Sequence, residues 1–314
     1  MGDRSAAELL KRVAPPKGVA AVAVVDPDAS IDLAGDDPAT TGLYEIGSIT
    51  KTLTATLLAV LVDDGVVALD TTVGAILGEQ AGAIPDVTLR ELATHTGGLP
   101  RLAPNAFTVP FWPRDPYRFY DAKRLVKGLA KTTLTDPGTI AYSNFGFDLL
   151  GHCLEAAARM PFKTLMESRV LVPAGMTTAR CQPCPRRGLL RGHGSLLLGG
   201  RRWHEPLPAA GGVDGTIADL AAWARANLVP DSTPLANAIR LAQQEHASHQ
   251  DDSIGLAWHR RNSTLWHNGA TGSFQGFVAV TPGRMAVAAL ATMGPGKWTI
   301  DRAVGEWLTE ALAP

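Results

Sequence analysis

Residues 44–51 read Tyr44-Glu45-Ile46-Gly47-Ser48-Ile49-Thr50-Lys51, and this stretch decides how the rest of the chain is interpreted. It precedes Thr52 to Val62, where apolar residues recur at helical spacing. We therefore expect Ser48 at a helix start, with Lys51 on the same face. A serine becomes a nucleophile when a base lies beside it, and a partly desolvated lysine can act as that base. Taken alone, the motif is also explained by a helix cap followed by a solvated lysine.

The composition excludes several classes of protein. The chain has 314 residues, 46% of them hydrophobic, and a net charge of −1, which argues against nucleic acid as a partner. No apolar run approaches the roughly 18 residues that span a bilayer, so no membrane partner is expected. Residues Met1 to Arg12 lack a signal-peptide core. We therefore expect a cytoplasmic location, although a signal that had been removed would leave no trace.

The cysteines do not indicate a disulfide framework, because the chain has only three. Cys181 and Cys184 form a C-x-x-C segment, but the following His193 and His204 are not at zinc-finger spacing. We interpret these thiols as structural or incidental rather than as metal ligands. Neither a metal ion nor a cofactor is expected.

Strand patterns occur at both ends of the chain and helical patterns in the middle. We therefore expect a sheet lobe built from residues 1–69 and 245–314, a mainly helical lobe from residues 70–244, and an active site between them. The predicted strands are Val19–Val25, Ser30–Ala34, Ile254–Arg260, Thr264–Trp266, Phe274–Val280 and Met285–Thr292.

Two further polar segments contain residues that can take part in catalysis or substrate binding. They are Tyr142-Ser143-Asn144 and His267-Asn268-Gly269-Ala270. A tyrosine can transfer a proton, and an asparagine can hold a carbonyl or an ammonium group. A glycine in a strand lets a ligand approach the backbone. Taken separately, each segment also has a structural explanation: a buried tyrosine hydroxyl, a turn asparagine and a hairpin histidine.

For two more features, the sequence leaves a choice between a packing role and a functional role. His95 follows a predicted helix and is either a ligand or base or, as we favour, a residue that satisfies the helix end. The aromatic residues between Phe107 and Tyr120 either pack together or line a cleft.

Taken together and in this order, the polar segments resemble the three active-site boxes of the class C β-lactamase-like serine hydrolases. This superfamily includes penicillin-binding DD-peptidases, D-aminopeptidases, β-lactamase-fold esterases and some acyltransferases. The boxes are Ser48-x-x-Lys51, Tyr142-x-Asn144 and His267-x-Gly269. Additional stretches are similar to segments of the same family, so that the resemblance covers nearly the whole chain from Val19: Leu92–Pro100, Tyr142–Leu150, Pro173–Thr177 and Gly211–Leu220.

The resemblance implies an α+β fold, with an antiparallel sheet flanked by helices and an inserted all-α lobe. It implies that Ser48 is the acylated nucleophile and that Lys51 and Tyr142 share proton transfer, with the identity of the base left open. The backbone N–H groups of Ser48 and Ala270 would form the oxyanion hole. The substrate-binding residues implied by the resemblance are Asn144, His267, Gly269 and Ala270.

One departure from the family pattern bears on the substrate. His267 stands where β-lactamases of this class usually carry lysine, so the permanent positive charge for a substrate carboxylate is missing. The peptidase and esterase branches fit this better than a dedicated β-lactamase.

We therefore expect a serine hydrolase that cleaves a small-molecule ester or amide through an acyl-Ser48 intermediate. An acyltransferase of a biosynthetic pathway would use the same intermediate, and the apparent lack of export leaves this activity open. A DD-peptidase or weak β-lactamase is also compatible with the three boxes, and so is a catalytically silent binding protein that keeps the fold. The sequence does not indicate an oligomeric state.

Overall fold

A computed structural model describes residues 4–106, 115, 117–182, 187–192, 203–293 and 300–313. The helices in these ranges are α1 (Ala6–Val13), α2 (Asp37–Thr41), α3 (Thr50–Asp63), α4 (Val73–Leu77), α5 (Leu89–Ala93), α6 (Ala122–Leu129), α7 (Asn144–Ala158), α8 (Phe162–Met166), α9 (Ile217–Leu228), α10 (Ala236–Gln243) and α11 (Ile300–Ala311). The strands are β1 (Ala20–Val25), β2 (Ile31–Gly35), β3 (Tyr44–Glu45), β4 (Arg180–Cys181), β5 (Val213–Gly215), β6 (Ala247–His249), β7 (Asp252–Ile254), β8 (His259–Arg261), β9 (Thr264–Ala270), β10 (Gln275–Thr281) and β11 (Met285–Ala291). Among the described residues, no helix is both long and apolar enough to cross a bilayer.

An eight-stranded antiparallel sheet, in the order β2-β1-β11-β10-β9-β8-β7-β6, joins strands from the two ends of the chain. Strands β1, β10 and β11 are buried along their whole length, because helices cover both faces. Val22 and Val24 pack with α1 and α11 on one face, while Ala21 and Ala23 join the core around α3 and α9 on the other. This architecture confirms the predicted α+β fold.

The part of the chain between β2 and β6 supplies most of the helices. It also contains a small antiparallel sheet in the order β3-β5-β4. Helix α9 comes from this part of the chain but packs on β1 and β11 of the large sheet. Residues 70–244 therefore contribute to the large-sheet core as well, and the division of the chain into two lobes stays a prediction.

The predicted strand Ile254–Arg260 is wrong, because the chain reverses inside it and forms β7 and β8. The backbone N–H of Gly255 donates to the carbonyl oxygen of Trp258 at 2.8 Å, and Ala257 has a φ of 65°. The reversal buries Trp258 completely. Burial of a large ring in a tight turn explains why this apolar run is not one extended strand.

The turn that carries Ser48 is held from two sides. Residues 47–49 form a single 3-10 turn that continues directly into α3, a helix buried on all sides over most of its length. Strand β9 approaches from the opposite side so closely that a Cβ on Gly269 would lie 2.0 Å from the carbonyl oxygen of Ile46. Only glycine permits this approach, which fixes the end of β9 beside Ser48.

Gly269→Ala is expected to lower the free energy of unfolding by about 2 kcal/mol, because β9 or the Ser48 turn must move. Gly305→Ala is the matched control, since a Cβ there meets no atom within 4 Å and the position lies inside α11. Alanine should stabilise α11 by roughly 0.5–1 kcal/mol. Denaturant unfolding of both variants measures the two effects. A neutral Gly269→Ala variant would contradict the close approach of β9.

Candidate active site

Ser48 and Lys51 lie side by side where the 3-10 turn meets α3. The Nζ of Lys51 donates one hydrogen bond to Ser48 Oγ at 3.0 Å and another to the carbonyl oxygen of Ala210 at 2.7 Å. Lys51 has no exposed surface, so its amine is held in a fixed position against the hydroxyl. The shared helix face expected from the i, i+3 spacing is therefore present. A neutral amine in this position can accept the serine proton along the same contact.

Tyr142 lies against Lys51 through its aromatic ring. The Nζ of Lys51 is 4.9 Å from the ring centroid, and the guanidinium carbon of Arg101 is 5.0 Å from the same centroid. Within the described ranges, no hydrogen bond joins the Tyr142 hydroxyl to Ser48 or Lys51. The structure thus brings Tyr142 to the Ser48–Lys51 pair, and the contact that it makes is a cation–π contact.

Ser143 anchors the loop that carries Tyr142 and Asn144. Its Oγ accepts a backbone N–H from the first turn of α7 at 2.8 Å and donates to the carbonyl oxygen of Pro100 at 2.7 Å. Its own backbone N–H donates to Nδ1 of His95 at 3.1 Å. These bonds fix the two flanking side chains relative to α7.

His95 acts as a structural residue in this arrangement. It follows α5 with a φ of 60°, is buried, and its ring centroid lies 4.6 Å from that of Tyr142. Burial lowers the pKa of His95 well below its ordinary value, so the ring stays neutral. Its Nδ1 is already occupied by the N–H of Ser143. These contacts favour the helix-end interpretation over a catalytic base.

Asn144 lines the same cavity as Ser48. Its Nδ2 donates to the hydroxyl of Tyr117 at 3.1 Å, whereas its Oδ1 is buried and has no partner among the described residues. A buried acceptor without a donor is costly unless a ligand supplies the donor. This geometry fits the expected substrate-binding position of Asn144.

His267 is not among the residues that line the cavity, and its ring centroid lies 6.3 Å from that of Tyr142, so its contact with substrate stays a prediction. Successive residues of a strand face opposite sides, and His267 falls on the buried side of β9. It has no exposed surface, and its Nδ1 donates to the carbonyl oxygen of Asn268 at 2.6 Å. Burial also lowers the pKa of His267 well below its ordinary value, so the ring is neutral. Asn268, which the sequence did not indicate as a binding residue, is among the residues that line the cavity, and its side-chain amide donates to Oδ2 of Asp301 at 2.6 Å.

The end of β9 meets the Ser48 turn through Gly269 and Ala270. A Cβ on Gly47 would lie 2.8 Å from the backbone nitrogen of Ala270, and Gly47 has a φ of 54°. Gly269 packs on Ile46, and Ala270 lines the cavity beside Ser48. This proximity fits the pair of backbone N–H groups expected to form an oxyanion hole.

A cavity of ≈ 460 Å³ is lined by Ser48, Tyr142, Asn144 and Ala270. Tyr117 and Tyr120 line it, which favours the cleft interpretation for the described end of the aromatic segment. Phe107, Phe111 and Trp112 lie outside the described residues. The cavity is also lined by residues that the sequence did not indicate as site residues: Arg101, Asp148, Trp203, Glu205, His259 and Asn268.

Asp148 and Glu205 are buried carboxyl groups on the cavity wall, with 5% and 9% of their surface exposed. Burial raises the pKa of Asp148 to about 8, and the nearby Lys51 and the backbone N–H of Ala210 oppose this rise. Burial also raises the pKa of Glu205 to about 8, with a further contribution from Asp148 and opposition from Lys51. Asp148 follows Asn144 by one helical turn, so the sequence spacing weakly indicates that the two residues share a helix face. Glu205 lies in a loop without periodicity.

The C-x-x-C segment is structural where it is described. Cys181 is buried in β4, and burial raises the pKa of its thiol above the ordinary value. Cys184 and His193 lie outside the described residues, and the Nδ1 of His204 lies 2.6 Å from a carboxylate oxygen of Asp115. In the part of the chain that the structure describes, no three His, Cys, Asp or Glu side chains converge as metal ligands.

Comparison with known proteins gives a family match over almost the whole chain. The model of the Beta-lactamase family matches residues 16–310. The chain is 29% identical over 278 residues to the D-alanyl-D-alanine-carboxypeptidase/endopeptidase AmpH of Escherichia coli (strain K12), covering 78% of this chain and 69% of that protein. It is 28% identical over 289 residues to penicillin-binding protein 4 of Amycolatopsis lactamdurans, covering 81% of this chain and 73% of that protein.

Solved structures with the same fold cover nearly the whole chain. A class C beta-lactamase from Rhodobacter sphaeroides superposes with a TM-score of 0.83 at 21% identity, over 99% of this chain and 100% of that structure. A beta-lactamase/D-alanine carboxypeptidase from Pseudomonas syringae superposes with a TM-score of 0.79 at 19% identity, over 95% and 94% of the two chains. At these identities the similarity supports the fold alone.

The buried carboxyl groups predict a fall in stability as the pH rises. Between about pH 4.5 and pH 8, the folded state holds protons on Asp148 and Glu205 that the unfolded state has released. Their stabilising contribution is complete below the ordinary carboxyl pKa and is lost as the pH rises through about 8. The slope is roughly 1 kcal/mol per pH unit for each group. The double variant Asp148→Asn, Glu205→Gln should therefore lose less stability than the wild type across this window.

Denaturant unfolding at several pH values measures this difference. Glu306→Gln is the matched control, because Glu306 is an exposed carboxylate on α11 and should leave the pH profile unchanged. Parallel pH profiles for the wild type and the double variant would contradict the raised pKa values.

Proposed function

Since the chain belongs to the Beta-lactamase family of serine hydrolases, we propose that it cleaves a small-molecule ester or amide through an acyl-enzyme on Ser48. The observation that carries this proposal is the 3.0 Å contact between Lys51 Nζ and the Oγ of Ser48, a residue that lines the cavity. A hydroxyl held against a buried amine, with a cavity for a substrate, is the arrangement that nucleophilic catalysis requires.

In the proposed first step, Ser48 Oγ attacks the substrate carbonyl and its proton passes to the amine of Lys51. The negative charge that develops on the carbonyl oxygen is stabilised by the backbone N–H groups of Ser48 and Ala270. The leaving group departs with a proton returned from Lys51, either directly or through the hydroxyl of Tyr142. Water then attacks the acyl-Ser48 ester and releases the acid. The direct contact between Lys51 and Ser48 favours Lys51 as the base in this scheme.

A peptide-like substrate has one observation in its favour. Arg101 lines the cavity and places a permanent positive charge over the face of the Tyr142 ring. A guanidinium group can bind a substrate carboxylate through its permanent charge, which the buried, neutral ring of His267 lacks. The names of the relatives AmpH and penicillin-binding protein 4 are consistent with such a substrate. We keep DD-peptidase or weak β-lactamase activity as the second candidate.

Removal of either member of the nucleophile unit should strongly reduce the turnover of p-nitrophenyl acetate. Ser48→Ala removes the attacking atom, and Lys51→Met removes the base while it keeps the length of the side chain. We expect kcat to fall by about 10²- to 10⁴-fold in each, with a folded protein. Lys11→Met, at an exposed lysine of α1, is the matched control and should keep full activity. Ligand binding with no turnover in the wild type would support a catalytically silent binding protein and overturn the proposal.

The acceptor of the acyl group distinguishes a hydrolase from an acyltransferase. We expect water to be the acceptor, because hydrolysis needs no second binding site. The acyl-enzyme is formed from a simple ester, and a panel of amines and alcohols is then added while free acid and transfer product are quantified. Free acid as the main product, with no rise in rate on adding an acceptor, fits the hydrolase. Preferential amide or ester formation at millimolar acceptor would replace the hydrolase with a transferase.

A further inference from the structure

We propose that the cavity contains a subsite for a protonated amine, so that the substrate is an ester or amide that also carries an ammonium group. This inference rests on the proposed function, because it assigns a substrate class to the same cavity. It goes beyond that function, since nothing in acyl transfer through Ser48 and Lys51 requires acidic groups on the wall.

The first observation is that two carboxyl groups face the cavity without an ionic partner. Asp148 and Glu205 both line it and are more than nine-tenths buried. In the described ranges, Glu205 accepts no hydrogen bond, and Asp148 accepts one from the backbone of Ala210. The amine of Lys51 is engaged with Ser48 and with the carbonyl oxygen of Ala210. Buried carboxyl groups are usually paired, so the pair points to a cation supplied from outside.

The second observation is independent of the acidic pair. Thr271 lines the same cavity and is 2% exposed, and its Oγ1 has no hydrogen-bond partner in the described part of the chain. The Oδ1 of Asn144 is likewise buried and without a donor. Two residues of the cavity wall therefore each hold a buried oxygen atom without a hydrogen-bond partner. An alkylammonium group carries three N–H donors and no acceptor, which matches this wall.

Aromatic rings complete the surroundings. Tyr117 and Trp203 both line the cavity, and their ring centroids lie 5.6 Å apart in an edge-to-face arrangement. Aromatic faces attract ammonium groups and are poor surroundings for a hydrated metal ion. Among the described residues, no third His, Cys, Asp or Glu joins Asp148 and Glu205 at metal-ligand spacing. The donor set therefore fits an organic cation better than a metal ion.

The charged groups around the subsite predict how the affinity for amines depends on pH. The titratable and charged groups that face the carboxyl pair are Lys51, Glu45, Asp115 and Tyr117, with Arg101 elsewhere on the cavity wall. With pKa values of about 8, Asp148 and Glu205 are largely protonated at neutral pH in the empty cavity. A bound ammonium group favours the ionised carboxylates and lowers these pKa values. Binding should therefore release protons at about pH 7, and affinity for amines should rise up to about pH 8.

The experiment measures inhibition of p-nitrophenyl acetate hydrolysis by short n-alkylammonium chlorides and by the n-alcohols of equal length. The expected result at about pH 8 is inhibition by the ammonium ion at least about tenfold stronger than by the matching alcohol. In Glu205→Gln and in Asp148→Asn this ratio should fall toward one. Glu306→Gln, the exposed control on α11, should keep the wild-type ratio. A wild-type ratio near one, or a ratio unchanged in both carboxyl variants, overturns the subsite.

A calorimetric titration keeps the test decisive where a variant does not fold. The same ammonium salts are titrated into the wild type at about pH 7 in two buffers of different ionisation enthalpy. Proton release on binding supports the subsite, and binding without proton release, or no binding, overturns it. The proposed function fails separately, namely when p-nitrophenyl acetate is not hydrolysed in a Ser48-dependent manner. In that case the calorimetric result alone decides whether the subsite exists.

Discussion

The close approach of β9 to the turn that carries Ser48 is the constraint on which the rest of the site depends. Gly269 has no Cβ and therefore leaves room for the carbonyl oxygen of Ile46. The large sheet holds the turn on this side, and the buried helix α3 holds it on the opposite side. The position of the Ser48 hydroxyl is thus set by backbone contacts between packed elements. Such preorganisation is what a catalytic nucleophile needs, because movement at the moment of reaction is costly.

Lys51 connects this nucleophile to the acidic wall of the cavity. Its two hydrogen bonds join α3 to the loop before β5, through Ser48 and the carbonyl oxygen of Ala210. The same amine opposes the rise in pKa that burial imposes on Asp148 and Glu205. A basic amine beside the reacting hydroxyl and two buried carboxyl groups elsewhere on the wall give the two parts of the cavity different chemical character. A substrate with a carbonyl group at one position and an ammonium group at another complements that difference.

Local spacing explains what could be predicted from the sequence. The contact between Ser48 and Lys51 lies within one helical turn, so the i, i+3 rule is sufficient to place the two groups together. The fold class could also be predicted from the sequence. Apolar strand patterns at both ends of the chain, with helical patterns between them, are compatible with only a few architectures.

The features that could not be predicted depend on tertiary contacts. The segment His267-Asn268-Gly269-Ala270 has no apolar alternation, so the sequence does not indicate which residues face the core. The turn inside Ile254–Arg260 depends on burial of Trp258. Local secondary-structure propensity does not predict which side chains the tertiary structure buries. Asp148 and Glu205 come together only when α7 and a distant loop fold around Lys51, and a single acidic residue on a helix usually faces solvent.

The central claim is that Ser48 is acylated while Lys51 lies against it, and trapping of the acyl-enzyme tests this most directly. The protein is treated with a fluorophosphonate or rapidly quenched during turnover of an activated ester, and intact mass is followed by peptide mapping. The account predicts one adduct per chain, located on the peptide that contains Ser48 and absent from Ser48→Ala. An adduct that persists in Ser48→Ala, or one that maps to another residue while turnover continues, would contradict it.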